Sequence, residues 1–387
     1  MKYALRSRLL GCCWLVCGSA AASAQTIETP KIVEIQPLQS LRVAPAGATV
    51  IPIPEASLFG YYSDLQVALG SAWVTRTNKN ALRIDAESHE VVEVVRPRAN
   101  FSGLFDLFVD ERSLWHSTSM AAKGRIGGRG DVYRADPDTN ELTATIPGVG
   151  VPFGSGGGAV WAYNRRSRVI SAIDTDDNQL RAQFATEASL VSDQSHFAFG
   201  AGAIWQFAYE GDVSVWQMAT RTYYGGTFPA GVVRRIDPTS GKVTAEITIG
   251  PYVPTTDIRV LAGDVWVMGL RDKDGLLRDG GGMAFATRID ATTNQVSAVI
   301  PFSIPGCNAP VLRSPVVWDG GIWVATGCSP DNGPPFGWGT GVKKIELETN
   351  TVTDELDWPA GRRIALLATG EGALWALFEG QLVRFEL

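Results

Sequence analysis

The sequence has few of the groups that enzymes use for acid–base, metal or phosphate chemistry. Only three of its 387 residues are histidine, and it has no HExxH, GxSxG or CxxC motif and no pair of histidines at metal-binding spacing. Two runs of three glycines lack the Lys-Ser/Thr context of a phosphate-binding loop. The sequence therefore carries no familiar catalytic signature, and it indicates neither a metal nor any particular cofactor.

Basic runs and long apolar runs are also missing. The chain has 34 Lys and Arg residues against 40 Asp and Glu residues, for a net charge of −6. Such a chain cannot neutralise many phosphates, so we do not expect it to bind nucleic acid. No stretch approaches the roughly 20 apolar residues of a membrane-spanning helix, so no membrane span is expected.

The N-terminus has the pattern of a cleavable signal peptide. Lys2, Arg6 and Arg8 precede a short apolar stretch at residues 9–19, and residues 22–24 read Ala-Ser-Ala. Signal peptidase cleaves after such small residues, so we predict a signal peptide at 1–24 and one mature domain at 25–387. Cleavage removes three positive charges and no negative ones, which leaves a net charge of −9. The predicted location is periplasmic or secreted.

Cysteine is scarce once this segment is removed. Three of the five cysteines lie within the predicted signal peptide, which leaves Cys307 and Cys328. An isolated pair in an oxidising compartment is typical of a disulfide, so we predict a Cys307–Cys328 bond. A metal site or a nucleophilic thiol is the competing interpretation, but no histidine lies near either cysteine in the sequence.

The chain does contain a repeat. A turn, an apolar residue and a tryptophan recur seven times at fairly regular intervals, and most copies are followed by an apolar-Arg-Ile-Asp stretch and a turn. Each interval holds four short strand patterns and no helical periodicity, which predicts an all-β, seven-bladed β-propeller with four-stranded antiparallel blades. The anchor tryptophans are Trp73, Trp115, Trp161, Trp205, Trp266, Trp323 and Trp375.

Closure of the ring requires a strand from the N-terminus. The last repeat stops after its third strand, at residues 381–387, and the alternating stretch Lys31–Ile35 is a spare strand of the required type. Pairing the two would cover two open sheet edges. We therefore predict that residues 32–35 pair with 382–385 and complete the seventh blade.

Two repeated residue types have structural explanations. A tryptophan fills the wedge between neighbouring blades, and its N–H can reach a carbonyl. The acidic residue that ends most third strands can accept the N–H groups of its own turn, so we interpret these carboxylates as structural. They are Asp85, Asp136, Asp174, Asp237, Asp290, Glu346 and Glu386.

The combined pattern, Gly-x-(Ala/Val/Ile)-Trp-Val followed by (Val/Leu)-Arg-Ile-Asp and an alternating strand, resembles the YVTN/virginiamycin B lyase-like group of bacterial propellers. The resemblance covers about Lys31 to Leu387, and its motifs are core and turn positions. It implies the propeller fold. In the lyase itself it would imply a metal-assisted, histidine-based elimination, but no stretch here matches the catalytic residues one by one, so none is transferred.

Long connections between the second and third strands indicate where a ligand would bind. The segment from Trp205 to Asp237 is more than twice as long as the one from Trp73 to Asp85. Long loops on one face of a rigid scaffold are usually functional. Their aromatic residues, among them Tyr223 and Trp338, suit a sugar ring or a peptide, although the loops could instead only pack on each other.

The innermost strands supply a second set of polar residues at the channel mouth. Two histidines are candidate bases: His196 begins an inner strand, and His116 follows an anchor tryptophan. Each could instead be a hydrogen-bonded structural residue. The carboxylates and arginines could form an acid–base site or an anion site, or a solvated channel with paired charges. The candidate ligand-binding residues here are Asp64, Asp106, Asp257, Arg259, Arg313 and Arg363.

Two functions remain open. The first is an exported binding or scaffold module, a monomer that uses its loop-rich rim to bind a small anionic molecule, a glycan or a peptide or protein. The second is a lyase, or less readily a hydrolase, that acts on an anionic substrate, for instance a carbohydrate, at the channel mouth. Fold analogy alone does not choose between them.

The predicted disulfide gives a first test. Mass spectrometry of the non-reduced exported protein should find Cys307 linked to Cys328 in a chain that starts at Gln25. Closing the loop between the two cysteines is worth roughly 3 kcal/mol of stability. Two free thiols in the oxidised protein would contradict the pairing.

Overall fold

A computed structural model shows how the repeats are arranged. It describes residues 48–53, 62–76, 81–94, 105–118, 130–139, 141–186, 196–209, 230–251, 253–271, 283–302, 310–328, 338–356, 364–378 and 381–386. These residues form 28 strands in seven antiparallel blades of four, as the repeat predicts. No described residue lies in an α-helix.

The strands of the first four blades follow the anchor repeat in chain order. Blade 1 consists of β2 (Tyr62–Ala68), β3 (Ser71–Arg76), β4 (Ala81–Asp85) and β5 (Val91–Val94). Blade 2 consists of β6 (Phe105–Val109), β7 (Leu114–Thr118), β8 (Val132–Ala135) and β9 (Leu142–Ile146). Blade 3 consists of β10 (Val151–Gly156), β11 (Ala159–Asn164), β12 (Val169–Asp174) and β13 (Leu180–Ala185). Blade 4 consists of β14 (Phe197–Gly200), β15 (Ala203–Tyr209), β16 (Ala230–Ile236) and β17 (Val243–Pro251).

The remaining blades complete the ring. Blade 5 consists of β18 (Val253–Leu261), β19 (Asp264–Arg271), β20 (Met283–Asp290) and β21 (Gln295–Phe302). Blade 6 consists of β22 (Pro310–Trp318), β23 (Gly321–Cys328), β24 (Trp338–Glu346) and β25 (Thr351–Leu356). Blade 7 consists of β26 (Ile364–Gly370), β27 (Ala373–Phe378), β28 (Gln381–Glu386) and β1 (Ala48–Pro52).

The antiparallel order gives the propeller two different ends. First and second strands are joined by short turns such as Ala201-Gly202, where φ is 49° and 69°. Left-handed values at both turn residues are those of the tight hairpin that matches strand twist. The turns between third and fourth strands lie at the same end, which we call the turn end. The opposite end, where second strands connect to third strands and each blade connects to the next, is the loop end.

An N-terminal strand closes the ring, but it is not the one predicted from the sequence. β1 pairs antiparallel with β28, from Ala48 opposite Phe385 to Pro52 opposite Gln381. The other edge of β28 pairs with β27, so the prediction that residues 32–35 pair there is wrong. Those residues lie outside the described ones. β1 contains a proline, which an edge strand tolerates because only one of its edges is paired.

All seven anchor tryptophans lie on second strands and are buried, with at most 5% of the residue exposed. Four of them donate their indole N–H to the carbonyl five residues earlier, at 2.9 to 3.2 Å. Trp115 instead donates to the carboxylate of Asp110 at 2.8 Å. The predicted wedge-filling role and the predicted N–H partner are therefore confirmed for most blades.

The arginine of the Arg-Ile-Asp repeat stacks on the anchor tryptophan of its own blade. Six blades place a cation 5.1 to 5.9 Å from the indole centroid. Four of these arginines also donate to the third-to-fourth turn of the next blade, which makes a directional contact that we call the Trp–Arg latch. Its cross-blade bonds join Arg83 to Pro137 O, Arg134 to Thr175 O and Asn178 Oδ1, Arg235 to Asn294 Oδ1, and Arg288 to Leu347 O and Asn350 Oδ1.

The interface between blades 3 and 4 replaces this latch with aromatic packing. Ala172 stands where the arginine would be, opposite Trp161. Phe199 of blade 4 stacks on Trp161 with centroids 5.3 Å apart and planes at 13°. Phe184 lies against Gly241 in the turn of blade 4, where a Cβ would come within 2.4 Å of its ring. At three other interfaces an arginine contacts an asparagine of the next blade. Here Phe184 contacts Gly241 instead.

Five of the seven repeated acidic residues hold the turns at the turn end, as expected. In five turns an aspartate Oδ1 accepts the main-chain N–H groups two and three residues later. These main-chain hydrogen bonds are the main reason that the pKa of each carboxyl group lies below its usual value. The five residues are Asp85, Asp136, Asp174, Asp237 and Asp290.

The closing strand should contribute to the stability of the whole ring. Ile51 of β1 is 3% exposed and packs with Trp375 and Leu382. We expect Ile51→Ala to lower the free energy of unfolding by about 2–5 kcal/mol because it opens a cavity at the closing interface. Urea denaturation checks this value. Val352→Ala, on the exposed outer strand of blade 6, is the control and should change it by less than about 0.5 kcal/mol. Equal effects would contradict the closing role of β1.

Candidate functional site

The central channel is lined by the first strand of every blade. Each of these seven strands contacts the first strand of the next blade, and β26 contacts β2, so the circle is closed. The first strands run from the loop end to the turn end; Asp64, Asp106 and Arg313 lie in the loop-end half of their strands, whereas Arg259 lies two residues from the turn end of β18. The loop end is the region where the sequence predicts the site.

Several predicted site residues fall outside what the structure describes. Tyr223, Arg363 and Cys307 are outside the described residues, so the predicted disulfide stays a prediction. For four others only the strand position is described: Asp106 on β6, Asp257 on β18, Trp338 on β24 and Cys328 on β23. β23 ends and β24 begins at the loop end, so Cys328 and Trp338 occupy the end of the propeller that the sequence assigns to them.

Asp64 is held within the structure by two hydrogen bonds. Its Oδ1 accepts the N–H of Leu65 at 2.9 Å, and its Oδ2 accepts the side-chain amide of Gln66 at 2.8 Å. Gln66 in turn joins the inner strands of blades 1 and 2, because it donates to Leu107 O at 2.5 Å and accepts from Val109 N at 2.8 Å. Asp64 therefore positions a side chain that links two blades.

His116 is a buried residue of the interface between blades 1 and 2. It is 1% exposed, and on β7 it alternates with Trp115, so it shares the face of Leu114, which packs against Trp73 of blade 1. Burial lowers the pKa of His116 to about 4, so the imidazole is neutral at pH 7. The same position after the anchor tryptophan is taken by buried residues in the other blades, namely Val74, Ala162, Gln206, Val267, Val324 and Ala376.

His196 is also buried, but in another part of the ring. It directly precedes β14 and is 3% exposed. Its ring lies 5.9 Å from that of Phe207, which meets Tyr209 edge-on at 5.1 Å. Burial raises the pKa of Tyr209, and no described residue gives its hydroxyl a hydrogen-bond partner. His116 and His196 belong to blades 2 and 4, with blade 3 between them, so the structure does not bring the two candidate bases together.

The two described arginines of the inner ring point to different interfaces. Arg259 of β18 is exposed and lies opposite Trp266, on the face that packs against blade 6. Arg313 of β22 lies opposite Ala325, on the face of Trp323, which is turned away from blade 5. They therefore lie on opposite sides of β22 rather than in one shared anion site. Among the described side chains, no group of three or more His, Cys, Asp or Glu residues is arranged to hold a metal ion.

Sequence matches are absent, whereas structural matches are numerous. The chain matches no protein-family model and no curated protein. It is similar to a catalytically inactive virginiamycin B lyase from Staphylococcus aureus, solved with quinupristin, with a TM-score of 0.55 and 16% identity over 88% of this chain and 99% of that one. No helix in the described part is long and apolar enough to cross a membrane.

Two further solved structures are similar to this chain. One is a chain of the mitotic checkpoint complex, with a TM-score of 0.56 and 13% identity over 91% of this chain and 98% of that one. The other is the Swd1 β-propeller domain from Myceliophteria thermophila, with a TM-score of 0.55 and 10% identity over 85% of this chain and 98% of that one. At such identities the likeness shows the fold alone, and the first of the three structures confirms the fold-level resemblance to virginiamycin B lyase.

Burial of His116 predicts an acid-sensitive interface. Its pKa is about 4 in the folded chain and 6.5 in the unfolded chain, so the unfolded chain binds more protons between these values and stability falls as the pH drops from about 6.5 to about 4. The loss should approach ~3 kcal/mol. His116→Val, the residue found at this position in three other blades, should remove that part of the pH dependence.

Urea denaturation at pH 7.0 and pH 4.5 measures the difference. Gln206→Val changes the same position of blade 4 without removing a titrating group, so it is the matched control and should keep the pH dependence of the unmodified protein. An unchanged pH dependence in His116→Val would show that this imidazole is not the group responsible.

Proposed function

We propose that the protein is an exported binding module that takes a small anionic, glycan or peptide ligand at the loop end of its propeller. The observation that carries the proposal is the burial of both candidate bases, with His116 1% and His196 3% exposed in separate blades. A lyase or hydrolase that used them at the channel mouth would need at least one imidazole in reach of substrate. A binding module needs neither.

The division between the two ends of the propeller supports the same proposal. At the turn end, short hairpins, hydrogen-bonded aspartates and Trp–Arg latches place polar groups in contacts within the fold. At the loop end lie the long connections that the sequence singles out in blades 2, 4, 5 and 6. Rigid blades that carry long connections on one side are typical of binding scaffolds. The ligand would be held by aromatic residues such as Tyr223 and Trp338.

Export belongs to the proposal as well. The signal-peptide pattern at residues 1–24 and the isolated pair Cys307 and Cys328 both suit an oxidising compartment outside the cytoplasm. A disulfide between them would fasten the connection that follows Cys328, at the loop end of blade 6. We expect the exported protein to act as a monomer, with a small molecule, a glycan or another protein as its partner.

Alanine variants of the loop end test the binding role. The mature protein is screened against arrays of acidic oligosaccharides and of peptides, and affinity is then measured by calorimetry for the best probe. We expect Tyr223→Ala or Trp338→Ala to abolish binding and to leave the melting temperature nearly unchanged. Trp266→Ala, in the core, should instead cost about 3–5 kcal/mol of stability.

Two results would argue against this function. Equal destabilisation by the loop-end and core variants would mean that the long connections are part of the core. Turnover of a bound oligosaccharide that is lost in His196→Ala would favour the lyase alternative, in which His196 or His116 acts as the base.

A further inference from the structure

The loop end of blade 3 carries three arginines on one short turn. β11 ends at Asn164 and β12 begins at Val169, and the residues between them include Arg165, Arg166 and Arg168. Of the connections between second and third strands, this is the one that the structure describes in full. Arg166 and Arg168 are exposed, and Arg165 is partly exposed. Positive charge is therefore concentrated here, although the chain as a whole has a net charge of −6.

The backbone of this turn is held from both sides. Asn164 Oδ1 accepts two main-chain N–H groups of the turn, at 2.9 and 3.2 Å. The side-chain amide of Asn164 donates to Gly148 O at 2.6 Å, in the connection from blade 2. On the other side, Arg168 O accepts the N–H of Thr186, which follows β13, at 2.9 Å. The arginines are thus carried on a firm support, which reduces the entropy lost when a ligand binds.

The charges of this turn are not used up by ion pairs of the fold. At the turn end of the same blade, Arg181 forms an ion pair with Asp174 at 3.4 Å. Neither Arg165 nor Arg168 forms an ion pair with a described residue. Burial raises the pKa of Tyr163, and the positive charges of Arg168 and Arg165 act against this rise. These two charges are therefore available to a ligand.

The opposite end of the same part of the ring is acidic. At the turn end of blades 2 and 3, the two exposed arginines, Arg112 and Arg181, stand among five exposed carboxylates. An anionic ligand is therefore repelled from this end and attracted to the loop end of blade 3. The five carboxylates belong to Glu111, Asp138, Glu141, Asp176 and Asp177.

We propose that Arg165, Arg166 and Arg168, which we call the basic turn, bind the carboxylate groups of an acidic oligosaccharide. The inference rests on the proposed binding function and names the ligand class of the same loop end. The planar guanidinium group presents its N–H donors in a fork that matches the two oxygens of a carboxylate. Several such groups on one fixed turn suit a ligand whose carboxylates recur along its length.

The surroundings of the basic turn favour a glycan over other anions. A tight turn whose main-chain N–H groups already bond to Asn164 offers no open strand edge to a peptide backbone, so contact is made through the charges. Recognition of an anionic membrane typically uses about four to eight basic residues, which is more than this turn contains. An acidic oligosaccharide carries a carboxylate on each sugar, and its rings suit aromatic side chains such as Tyr223 in the long connection of blade 4.

Two charge-matched double variants test the basic turn. Binding of an oligogalacturonate to the mature protein is measured by calorimetry at low salt. We expect Arg165→Gln/Arg168→Gln to raise the Kd about tenfold, because two exposed ion pairs with the ligand are lost. The difference should shrink as salt is added, since the Debye length falls from about 10 Å at ~0.1 M to about 3 Å at ~1 M.

The control is Arg112→Gln/Arg181→Gln, which removes the same charge from the turn end of blades 2 and 3. It should leave the Kd within about twofold of the unmodified value, because a charge beyond a Debye length is largely screened. Melting temperatures establish that both double variants are folded. An equal loss of affinity in the two would show that net charge, and not the basic turn, attracts the ligand, and would overturn the proposal.

Further outcomes separate this inference from the proposed function. Binding of poly-glutamate or of phosphatidylserine vesicles as tight as that of oligogalacturonate would overturn the choice of a glycan. Oligogalacturonate binding that persists in Arg165→Gln/Arg168→Gln but is lost in Trp338→Ala would overturn the basic turn and leave the binding function intact. If no oligosaccharide or peptide binds to the unmodified protein, both the inference and the proposed function fail.

Discussion

The stack of a cation on a buried tryptophan is the interaction on which the rest of this propeller depends. The indole fills the wedge between two blades, and in six of the seven blades a cation lies 5.1 to 5.9 Å from the ring centroid. In four blades the arginine also donates to the turn of the following blade, so these contacts have a direction around the ring. Among the described strands, only one strand–strand residue pair joins neighbouring blades, between β24 and β26. Side-chain contacts therefore largely hold the blades in order.

The repeat in the sequence predicts the architecture well, since the tryptophan and the arginine that mark most copies also make the contacts between blades. The blade count, the role of the tryptophans and the structural role of the turn aspartates follow from the pattern. The position of the closing strand does not follow from the pattern. Pro52 and Pro54 make residues 48–53 look like a poor strand, whereas residues 31–35 have the alternating pattern of a strand. Residues 48–53 form a strand only because β28 in the folded ring offers them an unpaired edge, and an edge strand tolerates proline.

The site is harder to predict because a strand position alone does not tell whether a side chain lines the channel or an interface. His116 and His196 look like accessible bases in the sequence, yet both are buried. Arg259 and Arg313 belong to neighbouring inner strands, yet the strand register turns them to opposite sides of β22. Gln66, which links two inner strands, carries no sequence signal beyond its neighbour Asp64.

The direction of β1 has a consequence for how the molecule is displayed. Ala48 lies opposite Phe385 at the turn end, and Pro52 lies opposite Gln381 toward the loop end. Ala48 and Glu386, the first residue of β1 and the last residue of β28, therefore both lie at the turn end. A carrier joined directly at Ala48 or at Glu386 would attach at the turn end, opposite the end where the second strands connect to the third strands.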